Sequence, residues 1–326
     1  MNAARLAPLL LPWLIGCQGE QSVLDPQSPG ARGVANLWWT MFWGASAIMV
    51  LVIVLALYAV FRAPARRRRI NSIGFITLGG ILFPVVVLSA LLGYTIAVGN
   101  GLIARSNDAL RIEVVGKQWW WEVRYAEQDG QPGFTTANEI RVPVGRPVEI
   151  AVSSDDVIHS FWVPALAGKI DMIPGRVNQV SFTADTAGTY RGQCAEFCGA
   201  QHARMAFYVI AESEQDYAAW AQRQAQPAQP PREPLLGRGH AAFIESGCIA
   251  CHTIRGTAPG GDLGPDLTHV GSRHFLAAGT LPNNQGTLAG WIADNQQIKP
   301  GNLMPPFRTL DGETLRALAA YLESLK

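Results

Sequence analysis

The chain has 326 residues, 48% of them hydrophobic and only 16% charged, with 26 Lys+Arg against 25 Asp+Glu and a formal net charge of +1. An average soluble domain is about one quarter charged, so part of the chain is unusually charge-poor. The hydrophobicity excludes a disordered chain, and the near-neutral balance excludes nucleic acid as the main partner, because phosphate binding needs a basic excess.

The chain opens with a single positive charge, Arg5, and a short apolar stretch from Leu6 to Ile15. That stretch is too short to span a bilayer and is predicted to be a signal peptide. It ends in Leu14-Ile15-Gly16-Cys17, which resembles a bacterial lipoprotein signal box. The resemblance implies cleavage before Cys17 and a lipid on its sulfur; ordinary cleavage or an uncleaved leader are the alternatives. Residues 1–17 are assigned to this leader and the Gln-, Ser-, Pro- and Gly-containing stretch 18–36 to a tether.

No charge occurs from Asn36 to Phe61, and none from Ile70 to Ala104. About 20 apolar residues cross a bilayer as a helix, so residues 37–104 are predicted to form a transmembrane hairpin. Trp38, Trp39 and Trp43 at one end suit an interfacial aromatic belt. The short loop Ala63-Pro64-Ala65-Arg66-Arg67-Arg68-Arg69, with Arg62 before it, falls on the cytoplasmic side by the positive-inside rule. Both ends of the hairpin, a lipidated Cys17 and everything after Arg105 then lie outside, on the periplasmic face of a bacterial inner membrane.

From Arg111 the texture becomes β. The stretches Arg111–Tyr125, Glu139–Val152, Val177–Phe182 and Met205–Ala211 are rich in Val, Ile and aromatic residues and are separated by Gly, Pro and Asp turns. Residues 105–221 are predicted to be an all-β sandwich or barrel, and the Gln/Pro-rich residues 222–236 a linker. Residues 237–326 turn helical, with expected helices at Gly237–Ser246, Thr287–Asn295 and Asp311–Lys326. The last carries Leu315, Leu318 and Leu322 on one face, with Asp311 as its N-cap.

Four of the five cysteines sit among other metal-ligand residues. Cys194, Cys198, His202 and Met205 occur within twelve residues, and His159 lies 35 residues upstream of Cys194. Soft sulfur with imidazole suits copper, and an axial Met is typical of copper electron-transfer sites. A second Cys allows two thiolates to bridge two metals. Zinc is the competing chemistry, and a Cys194–Cys198 disulfide the simplest alternative.

This string, the His159 segment and Gly168-Lys169-Ile170-Asp171-Met172-Ile173-Pro174-Gly175-Arg176 resemble subunit II of haem–copper cytochrome c oxidases from about Leu37 to Ala211. The resemblance implies a cupredoxin-like sandwich holding a dinuclear CuA centre. Its ligands would be His159, Cys194, Cys198, His202, Met205 and the backbone carbonyl of Glu196. It also implies that the Glu196 side chain shares a Mg²⁺ with subunit I. In relatives the first Trp of the run Trp119-Trp120-Trp121 admits electrons to CuA, which points to Trp119; core packing is the plainer reading. As strand residues, Trp119 and Trp121 would share one face and Trp120 take the other. One departure stands out: Ile70–Pro84 contains no carboxylate, where many relatives carry a Glu at the mouth of a proton path.

Cys248-Ile249-Ala250-Cys251-His252 is the attachment pattern of a covalent c-type haem, with His252 as proximal ligand. Met304, 52 residues further on and the only Met after Met205, is the expected distal ligand. His269 and His274 are its rivals; for these two and His240, a solvated surface position is the default. Gly264-Pro265-Asp266-Leu267 resembles the cytochrome c loop whose Pro carbonyl orients the proximal His. The segment from about Pro234 to Lys326 resembles an all-α class I cytochrome c.

The order of parts resembles subunit II of caa3-type oxidases, which carry a fused cytochrome c. That implies an electron inlet: a soluble or membrane-bound cytochrome c, or another donor, reduces the haem. CuA then passes the electron to subunit I, which sits with subunit III in the lipid, reduces O2 to water and translocates protons. A linker would keep the haem at an effective concentration near millimolar. Other classes compete. A copper store or carrier shows the same ligands but needs no haem. A quinol oxidase subunit characteristically lacks the copper ligands, all of which are present here. The alternatives that stay open are a CuA-bearing nitrogen-oxide reductase subunit and a membrane-tethered copper-binding cytochrome outside an oxidase.

Overall fold

The computed structural model describes residues 19–62, 72–102, 106, 108–128, 130 and 132–326. Cys17, the signal-box residues and the arginine run lie outside these residues. Among the described residues, those within Pro29–Ala104 form one compact unit, and those before Pro29 or after Ala104 form a second.

The first unit is a helical pair. Helix α1 spans Pro29–Phe61. The second arm consists of α2 (Ser72–Phe75), a π-helical segment Ile76–Leu82 and α3 (Phe83–Leu102). The wider turn directly precedes Pro84, which has no N–H to offer the preceding turn. At 1.5 Å per residue, α1 is about 50 Å long, more than the roughly 30 Å of a bilayer core. Neither arm's most apolar window is buried. The arms meet at Gly33, where a Cβ would lie 3.3 Å from Val98. Helix α1 thus starts inside the stretch expected to be a tether. The residues just before it are also held: Gln27 donates its N–H to the Ala165 carbonyl at 2.7 Å and accepts from the Asp185 N–H at 3.0 Å.

The second unit begins with a two-sheet sandwich. One sheet has the order β3-β2-β1-β5-β8, built from β1 (Leu110–Lys117), β2 (Trp120–Tyr125), β3 (Phe134–Ala137), β5 (Pro147–Ser154) and β8 (Asn178–Thr183). The other has the order β4-β10-β9-β6-β7, from β4 (Glu139–Pro143), β6 (His159–Trp162), β7 (Ile170–Met172), β9 (Gly188–Cys194) and β10 (Ala206–Glu212). Pairs β1–β5 and β4–β10 are parallel. Strand β5 alternates strictly, with Val148, Ile150 and Val152 inward, as a sheet with one solvated face requires. These residues meet Trp121, Phe161 and Phe207 in the core.

Helix α4 (Glu214–Ala225), not anticipated from the sequence, closes one side of the sandwich. Ser213 caps it by accepting from the Asp216 N–H. Tyr217, Trp220, Ala221 and Gln224 form its buried stripe, and the Trp220 ring packs on Tyr125 and Phe134 at 5.3 and 5.4 Å. The expected linker is therefore helical to Ala225. It is also tied down beyond: Arg255 donates to the Gln224 carbonyl at 2.6 Å, and the Ala228 N–H donates to the Arg255 carbonyl at 2.8 Å.

The C-terminal domain packs α5 (Pro234–Glu245), α6 (Gln285–Ile298) and α7 (Gly312–Ser324) around Phe243, Leu288, Ile292, Leu318, Tyr321 and Leu322. A two-residue hairpin, β11 (Phe275–Leu276) with β12 (Leu281–Pro282), is its only sheet among the described residues. Helices α5 and α7 cross at Gly239, where a Cβ would lie 2.1 Å from the Ala317 carbonyl oxygen, so no larger residue fits the crossing. Asp311 caps α7 as expected, accepting from the N–H groups of Glu313 and Thr314 at 2.9 and 3.0 Å.

Candidate metal centres

The first centre sits where β6 and β9 run side by side. Phe161 pairs with Cys194, and the Ala195 N–H donates to the Ser160 carbonyl at 3.0 Å. This register brings His159, the first residue of β6, to the end of β9. Cys194 Sγ lies 3.8 Å from His159 Nδ1, 3.7 Å from Cys198 Sγ and 3.2 Å from the Glu196 carbonyl oxygen. Cys198 Sγ is in turn 3.6 Å from His202 Nδ1 and 3.7 Å from Met205 Sδ. All six residues named from the sequence therefore converge.

Both cysteines are free thiols, and their separation is far above the roughly 2.05 Å of a disulfide, which removes that alternative. Metal–sulfur bonds of about 2.3 Å can meet across the observed gap, so the two thiolates can share a metal. A tetrahedral zinc needs four donors, whereas this set adds a carbonyl and a thioether, which suit copper better. The donor set fits copper.

Electrostatics favour a thiolate at Cys194. Cys194 shares its hydrogen bond with Cys198, and this with His159 pulls the Cys194 thiol down to about 3 against its burial. Cys198 is pushed up by the same partnership, so the pair holds one thiolate readily. Burial opposes charge on His159, but Asp156 and Cys194 outweigh it and raise its pKa to about 8. Asp156 Oδ1 stands 2.8 Å from His159 Nε2 and is itself fixed by the Val157 N–H at 2.6 Å. This carboxylate leaves Nδ1 free to face a metal; nothing in the sequence singled it out, although it lies three residues before the candidate ligand His159.

Trp119 is not a strand residue. Strand β1 ends at Lys117, and Gln118-Trp119 form the turn into β2. Trp119 and Trp121 therefore do not share a strand face. Trp121 is fully buried in the core, while Trp119 lies half-buried beside the centre and donates its indole N–H to the Cys198 carbonyl at 2.9 Å.

The second centre lies in the C-terminal domain. Cys248 and Cys251 are free, partly buried and on one short turn that His252 follows. His252 Nδ1 donates to the Pro265 carbonyl at 2.8 Å, as the loop resemblance implied, leaving Nε2 as the ligating atom. Burial pushes the His252 pKa down, favouring the neutral imidazole that binds iron. A Cβ on Gly264 would lie 2.4 Å from the His252 ring, so only glycine lets the loop approach. Met304 packs partly buried against the same core as Cys248. These residues fit a covalent haem.

Of the rival histidines, His269 is buried, with Nε2 2.9 Å from the Gln226 carbonyl, and is not the solvated residue expected. His274 is exposed. His240 is partly buried, with Nε2 3.2 Å from the Thr257 carbonyl.

The two centres belong to domains in direct contact. The Ala206 N–H, next to the candidate ligand Met205, donates to the Ala278 carbonyl at 3.1 Å. Tyr208 of β10 stacks on Phe275 of β11 at 4.1 Å. The Glu139 carboxylate accepts from the His274 and Phe275 N–H groups at 2.6 and 2.9 Å. Lys299, 3% exposed, donates to the carbonyls of Trp119 and Ala277 at 3.0 and 3.2 Å.

Comparison with known proteins agrees with both halves. The family model described as "Cytochrome C oxidase subunit II, periplasmic domain" matches residues 128–212, and that described as "Cytochrome c" matches 236–326. The chain is similar to cytochrome c oxidase subunit 2 of Alkalihalophilus pseudofirmus, at 35% identity over 345 residues covering 100% of this chain and 98% of the relative. It is also similar to cytochrome c oxidase subunit 2 of Bacillus sp. (strain PS3), at 33% identity covering 68% of this chain and 64% of the relative. A solved periplasmic domain of subunit II of cytochrome oxidase from Bradyrhizobium japonicum aligns at 33% identity over 38% of this chain and 96% of that one, with a TM-score of 0.35.

Proposed function

The chain belongs to the cytochrome c oxidase subunit 2 family and carries a cytochrome c domain, and from that premise we propose that it is the electron-entry subunit of a caa3-type respiratory oxidase. It is one subunit of an oxidoreductase complex, membrane-anchored through α1 and the α2–α3 arm, with its metal domains outside the cytoplasm. The oxygen site belongs to subunit I, with which this chain associates.

His159, Cys194, Cys198, His202, Met205 and the Glu196 carbonyl would hold a dinuclear CuA pair. Cys248 and Cys251 would bind the haem covalently, and His252 and Met304 would ligate its iron. Both groups supply one-electron chemistry. The protein's part is to fix them: Asp156 and the Pro265 carbonyl each orient one imidazole, and the buried site keeps water from the thiolates. Electrons would enter from an external donor at the haem domain, cross to the copper domain and leave towards subunit I, where O2 is reduced and protons are translocated. The Glu196 side chain would contribute to a Mg²⁺ site shared with subunit I. Cys17 would carry a lipid, and the membrane would be the bacterial inner membrane.

The observation that carries this reading is the convergence of His159, Cys194, Cys198, His202 and Met205 in the same compact unit as Cys248-Ile249-Ala250-Cys251-His252. The test is metal analysis of the full chain matured with haem and copper, together with visible and EPR spectra. The expected result is two coppers per covalent haem with a delocalised mixed-valence signal. One copper, or zinc, per haem would overturn the dinuclear assignment.

A further inference from the structure

We propose that Lys299 is a positioning residue for electron transfer between the two domains, fixing the Met304 loop on the copper domain at Trp119. The inference rests on the function proposed above and adds which contact sets the haem-to-copper geometry.

Taking an amine out of water is costly. Such a group is kept inside only where hydrogen bonds compensate it. Lys299 ends α6 and reaches out of its own domain, where Nζ bonds the Trp119 carbonyl; its second bond, to Ala277, stays at home. Trp119 then bonds the Cys198 carbonyl through its indole N–H, and Gln118 Nε2 donates to that same carbonyl at 2.7 Å. On the other side, Lys299 is tied to the distal-ligand loop. Asn302 Nδ2 donates to the Lys299 carbonyl at 2.8 Å, and Asn302 Oδ1 accepts from the Met304 N–H at 3.0 Å. A continuous run of short contacts thus links Met304 to Cys198, with Lys299 as the residue that crosses the domain boundary.

The surrounding contacts agree. Gln201 donates to the Pro300 carbonyl, and Arg204 to the Ile298 carbonyl. The residues on both sides of Lys299 are therefore held by the loop that carries His202 and Met205. Lys299 of the chain's own haem domain thus bonds the backbone of the residue whose indole bonds the Cys198 carbonyl.

The test is Lys299→Met in the full chain with both metals bound. The step measured moves one electron: the haem iron goes from +2 to +3 and the copper pair gains that electron. The variant is expected to slow this step about tenfold, a modest loss beside the hundredfold that a 1 Å displacement can cause. Both metal spectra and both midpoint potentials should stay unchanged, which a general loss of structure would not allow. A rate equal to wild type, or a fall explained by a shifted potential, overturns the proposal.

If the variant does not fold, the wild-type chain still decides. Lys299 should resist an amine-reactive reagent at a pH where exposed Lys169 is labelled; equal labelling of the two overturns the proposal. Wild-type spectra recorded first separate the two readings. Missing copper or haem signals would count against the function, while labelling reports the contact without any metal.

Discussion

At the scale of single residues, the candidate ligands could be named from the sequence and the groups that support them could not. Cys194, Cys198, His202 and Met205 lie on one short stretch, so chain connectivity alone nearly assembles them. His159, a second imidazole 35 residues upstream of Cys194, was joined to them only by the resemblance to the family. Asp156 escaped notice because an acidic residue near a His is common, and only the fold of the 154–157 turn aims it at Nε2. We expect Asp156→Asn to weaken copper binding about 10- to 100-fold, the usual effect of removing a carboxylate behind a ligating imidazole. A chelator-competition titration of the apo full chain measures this directly, and an unchanged affinity would remove Asp156 from the site. Trp119 was misplaced for a related reason: three consecutive tryptophans look like strand, and nothing local reveals that the turn comes before the second.

At the scale of elements, periodicity found what was regular. The final helix was read from its leucine stripe and its cap, and both are present. Asp311 is exposed and accepts from the Glu313 and Thr314 N–H groups and the Thr314 hydroxyl, so Asp311→Ala should lower the melting temperature, as loss of an N-cap does, with no change in haem absorbance. A thermal melt followed at the haem band provides the comparison. Helix α4 was missed because its buried stripe is short and runs straight into Gln- and Pro-rich sequence, where composition suggests a linker. Strand β10 carried an unread signal. Met205–Ala211 is apolar without alternation, and a strand of that kind is covered on both faces. Its inner face meets Phe161 and Trp121 through Phe207, and its outer face receives Phe275 and Ala278 of the haem domain.

At the scale of the whole molecule, the order of domains was legible and their contact was not. Glu139 and Lys299 are two charged residues among many in the sequence, and only tertiary structure shows that both are buried where the domains meet. Burial, and then the Arg204 cation, push the Lys299 pKa down to about 7, with the Cys198 thiol opposing. When the domains separate, the amine returns towards its ordinary 10.5. Between these values the separated form binds more protons, so raising the pH favours the joined form. Below about 7 both forms are protonated, and the full cost of burying the charge is present. We therefore expect the urea midpoint for the metal-bearing region to rise from pH 7 to pH 9 in the wild-type chain. Lys299→Met should lack this rise; an identical pH dependence in both proteins would show that another group is responsible.

The bond from the Ala206 N–H to the Ala278 carbonyl bears on kinetics as well as architecture. A domain swinging on a flexible strap would deliver electrons at a rate limited by its own diffusion, and glycerol or sucrose would slow it in proportion to solvent friction. With the strap itself hydrogen-bonded through Gln224 and Ala228, and the two domains stitched together beside Met205, there is no swing to retard. The internal step should be indifferent to viscosity, and only the arrival of the outside donor should feel it.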